Sequence, residues 1–310
     1  MSARRLAVAV IAATGAVTLA GCSTSAKPSN PPAGSDGAAV ITAAASINAW
    51  GSILAQLGGS HAKTTSIITS PDTDPHDYEP TPADGRVIAK AAVFVDNGIG
   101  YDTWAAKALE ASPDPSRTVI DVGDLVGVPA GGNPHRWYSP TDVDKVADAI
   151  TAALKNADPP DSAYFDTQRA NFESTGLKEY HRLISDIKAK YAGTPVGASE
   201  SIFEPLSDAL GLDLITPPSF LKAISEGTDP SAADKATIDD QISQKKIAMY
   251  VFNSQNSTPD VAAQVAAAKK QHIPVTAVTE TLSPEGATFQ EWQSAQLQVL
   301  ATALHQATGK

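Results

Sequence analysis

The chain has 310 residues, a formal net charge of −11 and a single cysteine, Cys22. The excess of acidic residues argues against a nucleic-acid partner, because phosphate binding requires a basic face. One cysteine excludes an internal disulfide, a cysteine-based zinc site and an iron–sulfur cluster, but it leaves open a metal site built from histidine and carboxylate. The length predicts two domains, at about 150 residues per domain.

The amino terminus carries the features of a bacterial lipoprotein signal. Arg4 and Arg5 form a positive region, and the apolar run Leu6–Ala20 that follows is too short to span a membrane comfortably. This run leads into Leu19–Cys22, which looks like a lipobox. We therefore predict that residues 1–21 are removed as a signal peptide and that the cysteine is lipidated. An ordinary secretory signal with a chance cysteine is the alternative.

A flexible tether is predicted next, over residues 22–38. Ser23–Gly37 is rich in Ser, Pro, Gly and Ala, a composition that cannot bury a hydrophobic core. The tether would join a lipid on Cys22 to the folded part of the chain. We therefore expect an extracytoplasmic protein, anchored to the outer face of the bacterial cell membrane by its N-terminal lipid.

The rest of the chain alternates short β-branched runs with helical patterns, which is typical of α/β units with mostly parallel strands. We predict two Rossmann-like lobes, each with a mostly parallel four-stranded sheet, joined by one long helix. The predicted boundaries are an N-terminal lobe over 39–157, a linking helix over 158–193 and a C-terminal lobe over 194–310. The predicted strands are Val40–Ala43, Thr64–Thr69, Ala92–Asp96 and Thr118–Val122 in the first half, and Pro195–Ala198, Leu212–Thr216, Ile247–Asn253 and Ile273–Thr279 in the second.

Several helix starts place a capping side chain before a proline, which suits the first helical position because it has no N–H to satisfy. This pattern predicts helices after Thr81, Ser139, Asp229 and Thr258. Between the halves, apolar residues at three-, four- and seven-residue spacings predict one long helix over 161–192. Gly176 weakens the middle of that helix by about 1 kcal/mol, so the helix could be broken there.

Two of the six histidines, His76 and His135, directly follow a proline. The residue before each proline is driven toward an extended conformation, so we expect both histidines in stiff loops rather than in helices. A histidine fixed in a loop at the end of an α/β unit can present a ring nitrogen to the cleft above the sheet. Taken alone, a purely structural role for the two histidines is an equally good interpretation.

Two glutamates follow predicted strands in the second half. Glu200 comes after the strand over 195–198, and Glu280 comes after the strand over 273–279. Ligands bind at the carboxyl ends of the strands in such sheets, although either acid could instead cap a following helix. Two imidazoles from one lobe and two carboxylates from the other form a set that suits Zn²⁺, Mn²⁺ or Fe²⁺.

Four segments of the chain carry motifs of one family. They are Asp74–Pro82, which reads D-P-H-D-Y-E-P-T-P, followed by Asn133–Trp137, Glu226–Ser231 and Thr279–Leu282. Together with the lipobox and the long helix, they make the chain resemble the metal-binding solute-binding lipoproteins of bacterial zinc and manganese ABC importers, also called cluster A-I periplasmic metal-binding proteins. The resemblance extends over about residues 40–305, and the first segment is its most specific motif.

The resemblance implies four metal ligands. His76 and His135 match the two histidines of the family. Glu200 lies where zinc-type members carry a histidine and many manganese-type members carry a glutamate. Glu280 lies where the family usually carries an aspartate, and its extra methylene changes the reach of the carboxylate. The acids around His76 are interpreted mainly as loop caps and turn formers, and Glu79 is a candidate for orienting a ligand histidine.

The resemblance also implies a function. The implied function is that of an extracytoplasmic receptor, which captures a divalent metal ion between two lobes and delivers it to an ABC permease. We expect a monomer without enzymatic activity. The carboxylate at position 200 and the lack of a histidine-rich loop slightly favour Mn²⁺ over Zn²⁺ as the transported ligand, although zinc has the higher intrinsic affinity for such sites.

Two other functions remain open from the sequence. The first is a metal-binding adhesin or sensor lipoprotein that uses the same fold. The second is a secreted metallohydrolase, which needs an open coordination position for water and a nearby base. The sequence contains no H-E-x-x-H motif, and four protein ligands would leave no such position, so the hydrolase is the weaker alternative.

Overall fold

The computed structural model describes residues 40–71, 75–256 and 258–310. In this part of the chain, eight strands form two parallel four-stranded sheets, one in each half, which confirms the predicted fold class. The N-terminal sheet has the order β2-β1-β3-β4, with β1 at Ile41–Ile47, β2 at Ala62–Ile68, β3 at Val93–Asp96 and β4 at Thr118–Asp121. The C-terminal sheet has the order β6-β5-β7-β8, with β5 at Pro195–Ala198, β6 at Asp213–Leu214, β7 at Tyr250–Asn253 and β8 at Val275–Val278.

Twelve α-helices accompany these strands in the described residues. In the first half they are α1 (Asn48–Gly58), α2 (Pro82–Lys90), α3 (Thr103–Ala111), α4 (Val122–Val126) and α5 (Pro140–Ala157). The remaining helices are α6 (Ser162–Asn171), α7 (Lys178–Tyr191), α8 (Glu204–Leu210), α9 (Pro218–Ser225), α10 (Ala232–Ser243), α11 (Pro259–Lys270) and α12 (Phe289–Thr308). None of these helices is both long enough and apolar enough to cross a membrane.

The two sheets share one topology, and this topology positions the candidate ligands. In each sheet the second strand along the chain pairs on one side of the first, and the third strand pairs on the other. The order therefore reverses at the first strand, and the carboxyl ends of strands at such a reversal form a crevice that suits ligands. The loops that carry His76 and His135 follow β2 and α4, while Glu200 and Glu280 follow β5 and β8.

The two halves share one main hydrophobic core. Its buried residues include Trp50 of the first half, Tyr180 between the halves and Trp292 near the C-terminus. Helix α12 packs against α7 and also contacts α1. At the α1 contact, the backbone N–H of Phe289 donates to Ser52 Oγ at 2.9 Å. The C-terminal helix therefore returns to the N-terminal sheet and ties the two halves together.

The link between the halves is not one continuous helix, so the prediction over 161–192 is wrong in this respect. Helix α6 ends at Asn171, a π-helical turn occupies Phe172–Gly176, and α7 begins at Lys178. The N–H of Leu177 donates to the carbonyl of Phe172 at 2.8 Å, which is the i→i+5 bond of a π turn. The break lies at Gly176, where the sequence already indicated a weak point.

Three of the four proline-marked helix starts are confirmed. Helices α2, α5 and α11 begin at the prolines that follow Thr81, Ser139 and Thr258. The start after Asp229 is wrong, because α10 begins only at Ala232. There the side chain of Ser231 accepts a hydrogen bond from the N–H of Asp234, so a serine two residues further on caps the helix instead.

Candidate metal centre

His76 lies in a single 3-10 turn, Pro75–Asp77, in the loop between β2 and α2. Its side chain is 22% exposed, so it is the candidate ligand nearest to solvent. The edge of the ring packs against Tyr101, with the ring centroids 4.7 Å apart and the planes at 76°. The preceding proline and this aromatic contact limit the directions in which the imidazole can point.

His135 is fully buried and is oriented by Asn133. The Oδ1 atom of Asn133 accepts from the backbone N–H of His135 and also lies 3.0 Å from its Nδ1. Because that oxygen can only accept, Nδ1 carries the proton and Nε2 keeps its lone pair in the neutral ring. Burial lowers the pKa of His135 well below its usual value, and the neighbouring His76 and Arg136 lower it further. The side chain is therefore held neutral, as a metal ligand must be.

Residues directly after β3 hold the loop of His135 in place. Asn97 accepts from Trp50 Nε1 at 2.9 Å and donates from Nδ2 to the carbonyl of Pro134, also at 2.9 Å. The carboxylate of Asp102 accepts from the backbone N–H groups of Asn97 and Gly98 at 2.7 and 2.9 Å. These bonds connect the sheet to the loop, so the imidazole is positioned by buried, satisfied polar groups.

Glu280 follows β8 and its side chain is completely buried. Its Oε2 accepts from the hydroxyl of Tyr101 at 2.7 Å, and its Oε1 accepts from Nδ2 of Asn253 at 2.8 Å. Its backbone N–H donates to Oε1 of Gln255 at 2.6 Å. Tyr101 belongs to the first half of the chain, so the carboxylate is held by residues of both halves.

Three of the four predicted ligands lie together. The Nε2 atoms of His76 and His135 are 3.5 Å apart, and Glu280 Oε2 lies 3.7 Å from the first and 3.8 Å from the second. The centre of a triangle with these edges lies about 2.1 Å from each of the three atoms. This distance matches metal–nitrogen and metal–oxygen bonds of about 2.0–2.2 Å. The triangle therefore has the size of a metal site.

Glu200, the fourth predicted ligand, lies beside this triangle but outside it. One group of described residues whose ligand atoms all lie within 4.8 Å of one another contains His76, His135 and Glu280, and Glu200 does not belong to it. The buried carboxylate of Glu200 accepts from Nδ2 of Asn253 at 2.6 Å and from Nδ2 of Asn256 at 2.9 Å. The two hydrogens of the Asn253 amide thus connect the two glutamates.

Residues next to the candidate histidines, and the predicted lipidation site, have simpler positions. Trp137 and Tyr138 are buried, and the Trp137 ring packs on His135 with centroids 5.4 Å apart. Glu79 is exposed on the loop of His76, and its expected role in orienting a histidine stays a prediction. Cys22 lies outside the described residues.

Sequence reasoning missed three residues that hold the site. Asn133 belongs to a recognised motif, but only the structure shows that it orients His135. Asn253 ends β7, so the strand-end argument that selected the glutamates could also have selected this polar residue. Tyr101 lies in a loop far from both glutamates in sequence, and nothing in its local pattern points to Glu280.

A cavity of about 260 Å³ leads to the triangle between the two halves. Its lining includes His76 and Tyr101 on one side and Glu204 and Lys222 on the other. Asn133 reaches across it and donates to Glu204 Oε2 at 2.7 Å. Burial raises the pKa of the Glu204 carboxyl, while the Asn133 bond opposes that shift. The cavity gives a small cation a path to His76.

Comparison with known proteins supports one family. The family described as ZnuA, the periplasmic component A of zinc-uptake complexes, matches residues 44–303. The manganese-binding lipoprotein MntA of Halalkalibacterium halodurans is 26% identical over 187 residues, which cover 58% of this chain and 60% of MntA. The zinc-binding lipoprotein AdcA of Streptococcus pneumoniae R6 is 26% identical over 227 residues, which cover 67% of this chain and 44% of AdcA.

Solved structures show the same fold. A crystal structure of ZnuA superposes with a TM-score of 0.67 at 22% sequence identity, covering 85% of this chain and 99% of that one. This likeness supports the two-lobed α/β architecture.

Proposed function

The chain belongs to the ZnuA family of periplasmic zinc-uptake components, and on this premise we propose that it binds a divalent transition-metal ion and delivers it to an ABC permease. The main support is the triangle formed by His76 Nε2, His135 Nε2 and Glu280 Oε2. Its edges of 3.5, 3.7 and 3.8 Å have the right size to hold one ion. Binding between the lobes would leave the ion accessible through the cavity at His76.

We propose metal capture rather than metal catalysis. A hydrolytic site needs an open coordination position and a base directed at the bound water. Here Oε2 of the buried Glu280 is a corner of the triangle, and the hydrogen bonds from Tyr101 and Asn253 fix the carboxylate as a ligand rather than leaving it as a base. Such an arrangement favours a preformed binding site for an ion over a catalytic site. Separately, we expect the protein to act as a monomer.

The donor set accepts both manganese and zinc. Two imidazoles satisfy the preference of zinc for nitrogen, while buried carboxylate oxygens suit manganese. The relatives include a manganese-binding protein and a zinc-binding protein. We propose Mn²⁺ as the transported ion by a narrow margin, because position 200 carries a carboxylate where zinc-type members of the family carry a histidine.

Equilibrium dialysis of the metal-free protein tests binding directly. We expect saturable binding of Mn²⁺ and Zn²⁺ and competition between them, together with a higher melting temperature in the presence of either ion, because each would bind the native state and not the unfolded chain. A deletion strain should show reduced uptake of the physiological ion. Absence of binding and of a melting shift with both ions would refute the proposal, whereas binding with normal uptake would favour an adhesin or a sensor.

We also propose that Glu200 completes the coordination as a fourth ligand when an ion is present. Its carboxylate shares the Asn253 amide with Glu280, so the two acids are near neighbours and an ion held by Glu280 would attract the second carboxylate. Glu200→Gln should therefore weaken Mn²⁺ binding by about 10- to 100-fold, and it should weaken Zn²⁺ binding less, because zinc is satisfied by fewer ligands. Equal affinity in the variant and the wild type would assign Glu200 to a purely structural role.

Membrane anchoring through Cys22 completes the proposal. The relatives MntA and AdcA are named as lipoproteins, and the residues before Cys22 resemble a lipobox. Cys22→Ser should shift the protein from the membrane fraction to the soluble extracytoplasmic fraction. A variant that remains membrane-bound would contradict a lipid on this cysteine.

A further inference from the structure

A second histidine–carboxylate cluster lies outside the cleft. His61 ends the 3-10 turn after α1, while Asp158 precedes and Asp161 ends the 3-10 turn between α5 and α6. His61 Nδ1 lies 2.9 Å from Asp161 Oδ2 and 3.9 Å from Asp158 Oδ2. All three ligand atoms lie within 4.8 Å of one another, which makes this the counterpart of the cleft triangle in the described part of the chain.

The His61 ring is held in place by neighbouring aromatic residues. It lies over the ring of Tyr164, with centroids 4.1 Å apart and planes at 32°, and it meets the edge of Phe165. The hydroxyl of Tyr164 accepts from the backbone N–H of Ser60 at 3.0 Å. The imidazole is therefore positioned before any ligand arrives, so little conformational entropy would be lost on binding.

In the described part of the chain, the side chains of the two aspartates neither cap a helix nor pair with a lysine or arginine. Each immediately precedes a helical segment, where an aspartate commonly caps the first turn, but neither side chain accepts such a bond. Within the described residues, the ion pairs of both carboxylates are with His61 and with no lysine or arginine. Two buried atoms, His61 Nδ1 and Asp158 Oδ2, have no hydrogen-bond partner among the described residues. Asp161 Oδ2 lies only 2.9 Å from His61 Nδ1 but is not aligned for a hydrogen bond.

A third cluster shows by contrast what makes this one suitable for a metal. Glu173 and His181, with Asp144, also bring three ligand atoms together. The guanidinium of Arg169 lies 3.1 Å from Glu173 and 3.7 Å from Asp144, so a cation already neutralises that cluster. Within residues 40–71, 75–256 and 258–310, the ion pairs of the two carboxylates beside His61 are with that imidazole, which is charged only if protonated.

We propose that His61, Asp158 and Asp161 form a second site for a divalent ion, with Zn²⁺ as the best match. One imidazole and two carboxylates suit zinc, and water can fill a fourth position. Two ligands bonded at about 2.05 Å to a tetrahedral ion lie about 3.3 Å apart, and the observed 2.9 and 3.9 Å lie on either side of that value. An ion there would connect the end of α1 to the start of α6 and stabilise the N-terminal lobe.

The test isolates this site from the cleft. In the full-length chain carrying His76→Ala and His135→Ala, Zn²⁺ binding is measured by equilibrium dialysis with elemental analysis. We expect one equivalent of Zn²⁺ to remain. Adding Asp158→Asn, which removes one ligand and preserves shape, should weaken that binding at least tenfold. Asp166→Asn on α6 is the matched control, because this exposed aspartate pairs with Lys155 rather than with His61, and it should leave binding unchanged.

Two results would overturn the second site. The first is the loss of all Zn²⁺ binding in the double histidine variant, which would leave His61 and its neighbours as an ion pair only. The second is an equivalent of Zn²⁺ that persists unchanged with Asp158→Asn, which would place it elsewhere. Failure of the cleft site alone gives a different pattern, since the wild type would then bind one equivalent that is sensitive to Asp158→Asn and not to His76→Ala.

Discussion

The two halves of the molecule contribute to the cleft in different ways. The N-terminal half supplies imidazoles on loops, each held by its own contacts: Tyr101 beside His76, and Asn133 beside His135. The C-terminal half supplies carboxylates at strand ends, and one amide, that of Asn253, serves both of them. One half therefore presents ligands that are fixed separately, while the other presents a coupled pair.

This difference follows from charge. A neutral imidazole can be buried when the nitrogen that does not face the metal donates one hydrogen bond. In His135, Nδ1 donates to Asn133 Oδ1. Two buried carboxylates repel each other, and an amide that donates one hydrogen to each reduces the cost of burying both. An arriving cation removes the same repulsion, so the C-terminal half should change more on metal binding than the N-terminal half.

The largest expected effect is the loss of an imidazole from the triangle. His76→Ala removes one of its three corners, and we expect Mn²⁺ and Zn²⁺ affinity to fall about 100-fold or more. Because the side chain is 22% exposed, the melting temperature of the metal-free variant should stay close to that of the wild type. Calorimetric titration measures the affinity. His305→Gln, at an exposed histidine on α12, is the control, and equal affinities in both variants would remove His76 from the site.

The coupled pair of glutamates is tested by removing its amide. Asn253→Ala leaves Glu200 and Glu280 without their shared donor, so the free energy of unfolding of the metal-free protein should fall by about 2 kcal/mol. Bound metal would offset part of this loss, and the increase in melting temperature on adding Zn²⁺ should exceed that of the wild type.

Asn256→Ala is the comparison for this test, because Asn256 donates to Glu200 but not to Glu280 among the described contacts. It should cost less stability than Asn253→Ala and leave the metal-induced melting shift close to that of the wild type. If the two variants behave alike, sharing of the amide has no special effect and the comparison between the halves fails.

A smaller effect is expected for the asparagine of the N-terminal half. Asn133→Ala removes the acceptor that fixes the proton of His135 on Nδ1, and loss of such a partner lowers metal affinity by about tenfold. The conservative variant Asn133→Asp keeps the acceptor, and Glu204→Gln added to it removes the new repulsion with Glu204. This double variant should bind metal better than Asn133→Ala. Equal binding by the two would show that Asn133 acts only as packing.

The sequence predicted the position of a residue wherever that position depends on residues nearby in the chain. The strands, the loop positions of the two proline-linked histidines and the strand-end positions of the two glutamates could be predicted because each depends on neighbouring residues. Their role as ligands stays a prediction. The contact of Tyr101 with Glu280 joins residues 179 positions apart, and the sharing of Asn253 depends on the packing of three strand ends, so neither leaves a local pattern. The break of the linking helix was indicated by Gly176, but its form as a π turn at Phe172–Gly176 was not.

A buried carboxyl in the N-terminal half tests the same principle without a metal. Asp96 at the end of β3 is 5% exposed, and its Oδ1 has no hydrogen-bond partner among the described residues. Burial, with the charges of Asp102 and Asp121, raises its pKa to about 8. The folded protein therefore keeps a proton that the unfolded chain loses near pH 4, and its contribution to stability declines from about pH 4 to about pH 8.

Asp96→Asn removes this titration while preserving shape. The difference in unfolding free energy between wild type and variant should change in favour of the variant between pH 5 and pH 8, by at most about 1.4 kcal/mol per pH unit. Thermal melts at both pH values measure it, with Asp166→Asn as the control at an exposed aspartate. A constant difference would show that Asp96 is ionised in the folded protein. An amide partner would then be unnecessary for a buried carboxylate here, which would weaken the argument that Asn253 is needed to hold two of them.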